Sequence, residues 1–117
     1  MTRYKKGTVL LILFPNSDLV TAKRRPAVVV QSDDLNTELD QVIVAMITSN
    51  LSREGRPSRI RINKDSEEGT SAGLLTDSII MTDNLATVRF FEIEKALGAL
   101  TDKDKIDNAL KVTLGMK

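Results

Sequence analysis

The sequence predicts a mainly β domain: a small, strongly curved antiparallel barrel of five to six strands with a C-terminal α-helix. Short runs rich in Val, Ile and Leu alternate with loops rich in Gly, Pro, Asn and Asp, which is typical of short core strands. Helical spacing is clear only near the end of the chain. Because 117 residues are enough for one hydrophobic core but not for two, residues 1–117 are expected to form a single domain.

Five strands are predicted from continuous apolar runs or from strict alternation. They cover residues 7–14, 26–31, 42–48, 59–62 and 77–82. In the fourth of these, Arg59 and Arg61 alternate with two isoleucines, so both arginines are expected on one face of the strand. The segments 15–25, 50–58 and 63–73 contain Gly, Pro and clustered polar residues and are predicted to be loops.

The last third of the chain is predicted in less detail. The stretch 84–100 is compatible with short strands over 87–88 and 96–100, joined by a turn or a helix. Thr101 and Asp104 have the spacing of a capping box, so a helix is expected to begin there. The apolar or small residues that follow at helical spacing are Ile106, Ala109, Leu110, Thr113 and Leu114.

The composition excludes several kinds of chemistry. The chain has no cysteine and no histidine, so it has no thiolate nucleophile, no zinc–thiolate site and none of the commonest general base. The longest apolar run ends at Pro15 and is too short to cross a bilayer or to act as a signal peptide. We therefore expect a cytoplasmic protein that makes no membrane contact and uses neither a metal ion nor a cofactor.

The charge distribution favours an anionic partner for the first half of the chain. Residues 1–64 carry a net charge of +5 and residues 65–117 a net charge of −4. Lys23, Arg24 and Arg25 are consecutive, and the following proline pushes Arg25 toward an extended conformation. A charge on a rigid strand beside an accessible loop is a common design for an anion site. A solvated basic loop fits the composition equally well.

Several motifs follow one another in an order that is informative. They are Lys6-Gly7-Thr8-Val9, Arg24-Arg25-Pro26-Ala27-Val28-Val29-Val30, Ile47-Thr48-Ser49, Asp77-Ser78-Ile79-Ile80 and Leu97-Gly98-Ala99-Leu100. In order and spacing they resemble the MazF/PemK family of toxins from toxin–antitoxin operons, over about residues 5–114. The chain departs from the family pattern at Thr8, where an aspartate is usual, and at Ala86, where an arginine is usual.

The resemblance implies a compact SH3-like barrel that forms a homodimer and pairs with a cognate antitoxin of a type II system. It also implies an endoribonuclease that cuts single-stranded mRNA at short sequences without a metal, leaving a 2′,3′-cyclic phosphate and a 5′-hydroxyl. The family's catalytic positions correspond to Arg25 and Thr48. The alternative is a non-nucleolytic binding module of the same fold, such as a gyrase-inhibiting toxin, because one fold can carry several activities.

These two side chains suit the implied chemistry. The substrate's own 2′-hydroxyl is the nucleophile, so the protein must orient the phosphate and stabilise charge on its oxygens. Arg25 offers a planar, permanently charged fork of donors, and Thr48 offers a hydroxyl donor. The general base is not assigned: arginine titrates too high, which leaves Asp18 and Asp83 as candidates.

Recognition of RNA is expected to depend on polar side chains, backbone groups and guanidinium planes. The candidate RNA-binding residues are Asn16, Ser17, Lys23, Arg24, Ser49 and Asn50. Single-stranded RNA is often held by stacking its bases on aromatic side chains. This chain has only Tyr4 and three phenylalanines, which we expect to lie in the core.

Overall fold

The computed structural model describes residues 3–15, 18 and 20–117. Along this part of the chain the elements are β1 (Thr8–Pro15), β2 (Ala22–Val29), β3 (Gln41–Thr48), β4 (Arg59–Ile62), α1 (Glu67–Ala72), β5 (Ser78–Arg89), β6 (Ile93–Ala99) and α2 (Lys103–Leu114). Single 3₁₀ turns cover Leu51–Arg53 and Phe90–Glu92. None of the helices in the described segments is long and apolar enough to span a membrane.

All six strands form one antiparallel sheet in the order β4-β5-β3-β2-β1-β6. The mainly β fold with a C-terminal helix is confirmed. The sheet is not closed, and β4 and β6 are its edge strands. The long strand β5 pairs with β4 through its first part and follows β3 to its end. A register shift opposite Ala45 and Met46 leaves residues 82–84 of β5 without a partner in β3.

Side chains from both faces of the sheet are buried, in two separate clusters. The helix-side core contains Val9, Val28 and Ala45 from three neighbouring strands, together with Ile106 of α2. The far-side core is formed by the alternate residues of the same strands, such as Leu10, and by Phe90 from the turn before β6. This alternation explains why β1 and β3 are continuous apolar runs, because strands with two buried faces need apolar residues at every position.

Helix α1 is held against β6 by a close approach of backbone to backbone. A Cβ atom at Gly98 would lie 2.2 Å from the carbonyl oxygen of Ser71, which is far inside contact distance. Gly73 ends the helix in the left-handed conformation, with φ of 72°, and its N–H bonds to the last turn. The glycines therefore hold the start of the following segment, residues 73–78, close to the β6 backbone at Leu97.

The structure differs from the prediction at β2, α1 and β5. Strand β2 begins at Ala22, which pairs with Pro15, so the three consecutive cations lie in a strand and not in a loop. The predicted loop 63–73 contains α1, whose N-cap Ser66 accepts the N–H of Gly69 at 3.0 Å. Six residues are too few to show helical periodicity, so this helix was missed. The predicted end of the fifth strand was also wrong, since β5 runs on to Arg89.

The start of α2 is displaced by one residue from the predicted capping box. Asp102 is the N-cap, and its carboxylate accepts the N–H of Lys105 at 3.4 Å. The hydroxyl of Thr101 instead donates to the Glu68 carboxylate, which also accepts the Thr101 N–H at 3.0 Å. A local sequence pattern could not anticipate this contact, because the two residues are 33 positions apart.

Candidate functional site

Arg25 and Thr48 lie at the same end of two neighbouring strands. Strands β2 and β3 pair in register as far as Ala27 opposite Met46. The paired segment ends there, two residues from Arg25 on β2 and two residues from Thr48 on β3. Side chains two positions apart on a strand lie on the same face, so Arg25 shares a face with Ala27, and Thr48 shares a face with Met46. The pairing of β2 with β3 therefore brings Arg25 and Thr48 to the same part of the surface.

Both residues line an open cleft of about 170 Å³. Its walls come from the first half of β2, the end of β3 and the segment before β5. The cleft residues with charged or hydroxyl side chains include Lys23, Arg24, Arg25, Thr48, Ser49 and Thr76. No carboxylate lines the cleft among the described residues, so its walls offer cationic donors and hydroxyls. Such a surface is suited to a phosphate group.

The cations of the cleft differ in what they contact. Arg24 donates from Nε to the Glu94 carboxylate at 2.5 Å. Arg25 and Lys23 are exposed, and neither pairs with an acidic side chain in the part of the chain that the structure describes. Two cationic side chains of the cleft are therefore free to bind an anion, while Arg24 is partly neutralised.

Thr48 is half-buried, and its hydroxyl is oriented by a local hydrogen bond. Its Oγ1 accepts the N–H of Asn50 at 3.1 Å. Since a hydroxyl can accept and donate at the same time, the Thr48 proton remains available for a group in the cleft. The side chain of Asn50 is used differently: its oxygen accepts from Ser52 and caps the short 3₁₀ turn. Asn50 is not among the residues that line the cleft.

The wall formed by Thr76 and Ser78 was not predicted as part of the site. Ser78 is buried, and its hydroxyl donates to the carbonyl of Thr76 at 2.9 Å. Between them, Asp77 accepts the N–H of Lys64 at 2.9 Å and lies 3.7 Å from the Arg61 guanidinium. These contacts attach the wall to the neighbouring β4 region. The sequence signalled this segment only as a motif, with no link to Arg25.

The two candidate bases lie elsewhere. Arg59 donates to both carboxylate oxygens of Asp83, at 3.3 and 2.9 Å, and this hydrogen bonding lowers the pKa of Asp83. Asp18 is exposed; the backbone N–H groups of Thr21 and Val20 bond to it and lower its pKa. Neither carboxylate lines the cleft. The predicted RNA-binding residues Asn16 and Ser17 are outside the described residues.

The predicted arginine face of β4 is present, and its cations are paired within the chain. Arg59 contacts Asp83, and Arg61 donates to Glu54 at 3.0 Å, while the isoleucines of β4 face the helix-side core. The expectation that the phenylalanines are buried is wrong for Phe91, which is 83% exposed.

Known proteins are similar to this chain over most of its length. A family model described as "PemK-like, MazF-like toxin of type II toxin-antitoxin system" matches residues 5–114. The Endoribonuclease MazF of Staphylococcus saprophyticus subsp. saprophyticus is 30% identical over 94 residues, which cover 79% of this chain and 74% of that protein.

Solved structures share the fold over nearly the whole chain. A mycobacterial endoribonuclease superposes with a TM-score of 0.70 at 23% identity, covering 99% of this chain and 95% of its own. A mycobacterial endoribonuclease in complex with its cognate antitoxin superposes with a TM-score of 0.71 at 21% identity, covering 97% and 96%.

Proposed function

Because the chain belongs to the PemK-like, MazF-like toxins of type II toxin–antitoxin systems, we propose that it is an endoribonuclease that cuts single-stranded RNA, including mRNA. The observation that carries the proposal is the cleft lined by both Arg25 and Thr48, next to the unpaired cation Lys23. The relatives named as endoribonucleases favour RNA cleavage over the gyrase-inhibiting alternative.

The proposed reaction is an internal transfer within the RNA. The 2′-oxygen attacks the adjacent phosphorus, the bond from phosphorus to the 5′-oxygen breaks, and the products are a 2′,3′-cyclic phosphate and a 5′-hydroxyl. Arg25 neutralises the charge that builds on the non-bridging oxygens, and Thr48 donates a hydrogen bond to the same group. The protein supplies no nucleophile, so orientation and charge stabilisation are its main tasks.

Two protons must also move. The 2′-hydroxyl loses one, and the leaving 5′-oxygen gains one. A carboxylate with a lowered pKa is a weaker base, which argues against Asp18 and Asp83 in this role. In a cleft open to solvent and lined by cations, we propose that water accepts the first proton and returns the second.

The test is cleavage of a single-stranded RNA by purified protein in EDTA. We expect cutting, with new 5′ ends that polynucleotide kinase labels directly because they carry hydroxyls. Arg25→Ala should abolish cutting, and Arg56→Ala, which removes an exposed cation outside the cleft, should not. Circular dichroism checks that both variants are folded. A strict requirement for a divalent ion, or full activity in Arg25→Ala, would refute the proposal.

We further propose that the protein acts in the cytoplasm as a homodimer and binds a cognate antitoxin. One structural neighbour is an endoribonuclease solved in complex with its cognate antitoxin, which supports this kind of partner. Light scattering of the purified chain gives its oligomeric state. Co-expression with the protein encoded beside it, followed by co-purification and relief of growth arrest, tests the antitoxin.

A further inference from the structure

A second hollow, of about 280 Å³, opens directly beside the cleft. Its walls are mainly aliphatic and are formed by Leu11, Pro26, Leu74, Leu75 and Leu97. It shares Pro26, Thr76 and Ser78 with the cleft, so the two hollows have a common wall. We call this second hollow the leucine pocket.

The leucine pocket exists because the helices leave part of one sheet face uncovered. Leu11 on β1 is opposite Pro26 on β2 and Lys95 on β6, so these residues form a row across three strands. Leu11 follows Val9 on the face of the helix-side core. At the mouth of the pocket, Leu75 is 88% exposed. An apolar surface beside a charged cleft is a typical sign of a binding site.

We propose that the leucine pocket holds the nucleobase next to the phosphate that is cleaved. This inference rests on the proposed function. In single-stranded RNA each phosphate is flanked by bases that can turn away from one another and pack against side chains. A phosphate held in the cleft by Arg25 places a neighbouring base at the shared wall. Binding of this base then requires an apolar surface against which it can pack. Other enzymes hold an unstacked base between apolar side chains in this way.

The pocket also accounts for RNA binding by a protein with few aromatic residues. Among the described residues, no aromatic side chain lines the cleft or the leucine pocket. Leucine and proline side chains then replace the usual stacking platform. The exposed Phe91 belongs to a different hollow, lined also by Arg3 and Asp40, and is not part of this surface.

Lys95 at the pocket makes the proposal more specific. It is exposed and has no ion-pair partner within the described chain. An ammonium group donates hydrogen bonds and accepts none. At the position where the bases carry O6, O4, N6 or N4, it therefore favours guanine and uracil, whose oxygens accept, over adenine and cytosine, whose amino groups donate. We infer a preference for a keto base at this position.

The first experiment removes the base without touching the reacting groups. Once a cleaved sequence is known, each flanking nucleotide is replaced by an abasic ribonucleotide, which keeps its 2′-hydroxyl. For the wild type, one of these replacements should slow cleavage about 10-fold, the scale of one packed base. In Leu75→Ala the same replacement should slow cleavage much less, because the leucine side chain that packs against the base has already been removed. Leu39→Ala, which truncates another exposed leucine outside both hollows, should behave as the wild type.

The second experiment tests the base preference. Cleavage sites in a long RNA are mapped by sequencing the new ends, for the wild type, Lys95→Gln and Lys111→Gln. We expect Lys95→Gln to reduce discrimination between keto and amino bases at one flanking position by about 10-fold or more, as for loss of one charged hydrogen bond. Lys111, exposed on α2, is the matched control and should leave the profile unchanged.

The outcomes separate this inference from the proposed function. If the wild type does not cut intact RNA, the proposed function fails. If it cuts, but abasic replacement affects the wild type and Leu75→Ala equally, the base-binding role of the pocket is wrong. The role is also wrong if Leu75→Ala weakens antitoxin binding and leaves the cleavage profile unchanged, because the pocket would then serve a protein partner.

Discussion

Thr48 has two hydrogen-bonding capacities, and the fold uses one of them. The Thr48 hydroxyl oxygen accepts the Asn50 N–H. The Thr48 hydroxyl proton is therefore available to a group bound in the cleft. Thr48→Val keeps the branched shape and removes both capacities. We expect the single-turnover rate of RNA cleavage to fall about 10²- to 10³-fold, as for other preorganised donors.

Thr48→Ser is the matched control, because it keeps the hydroxyl and should retain most of the rate. Urea unfolding should show that Thr48→Val costs only about 1 kcal/mol of stability, the value of one hydrogen bond. A rate unchanged in Thr48→Val would show that this hydroxyl does not contact the reacting group.

Asp83 and Arg59 predict a pH dependence of stability. Their hydrogen bonds lower the Asp83 pKa below its ordinary value of 3.8, so the folded state binds this proton more weakly than the unfolded state. The stabilisation is therefore fully present above pH 3.8 and is lost as the pH falls through the lowered pKa.

Asp83→Asn should destabilise the protein near neutral pH, and the difference from the wild type should narrow below pH 3.8. With side chains that are 20% and 34% exposed, the pair is worth about 1 kcal/mol. Urea unfolding at several pH values measures it, with Asp34→Asn on an exposed loop as the control. A difference that stays constant with pH would contradict the assignment.

Among the elements, α1 controls the shape of the site through its contact with β6. Gly98→Ala would put a methyl group 2.2 Å from the Ser71 carbonyl oxygen, so the helix must move away. We expect a loss of about 1–3 kcal/mol in the free energy of unfolding. RNA cleavage should fall as well, because the segment after α1 forms a wall of the cleft.

Ala96→Ser is the matched control, since it adds one heavy atom at an exposed position of the same strand. Denaturation and cleavage assays on both variants check the prediction. If the two variants have the same free energy of unfolding, α1 moves away from the added methyl group without destabilising the protein, and the prediction is wrong.

The sequence predicted the elements whose apolar residues recur at strand spacing, and missed those defined by distant contacts. Strands β1, β3 and β4 were found because buried faces require apolar residues at regular spacing. The early start of β2 was missed because its first residues, Lys23, Arg24 and Arg25, are exposed and charged; only pairing with β1 makes them a strand. Short α1 was missed for lack of periodicity.

On the scale of the whole molecule, the cations of the cleft predict a salt-dependent affinity for RNA. Each phosphate contact to a single strand contributes a slope of about −0.7 in log K against log salt. Lys23→Gln should therefore make the slope less negative by about 0.7. Lys111→Gln should leave the slope unchanged, because Lys111 lies outside the cleft.

Fluorescence anisotropy measures these slopes, using an RNA made uncleavable by a 2′-deoxy nucleotide at the cleaved position. If Lys23→Gln has the same slope of log K against log salt as the wild type, Lys23 does not contact an RNA phosphate.

The site itself was predictable only in part. Arg25 and Thr48 could be named from motifs within single strands, and the structure shows that both line the same cleft. Thr76 comes from a segment about fifty positions after Arg25, and its place depends on the packing of α1 against β6. The tertiary structure was therefore needed to find the shared wall and the leucine pocket.

Strand β5 contributes buried side chains to both hydrophobic clusters. Ile80 near its start belongs to the helix-side core, and Val88 near its end belongs to the far-side core. Detaching β5 from β3 would expose both clusters at once, so the molecule should melt as a single cooperative unit. In native-state hydrogen exchange, the slowest amides at the two ends of β5 should then open with the same free energy.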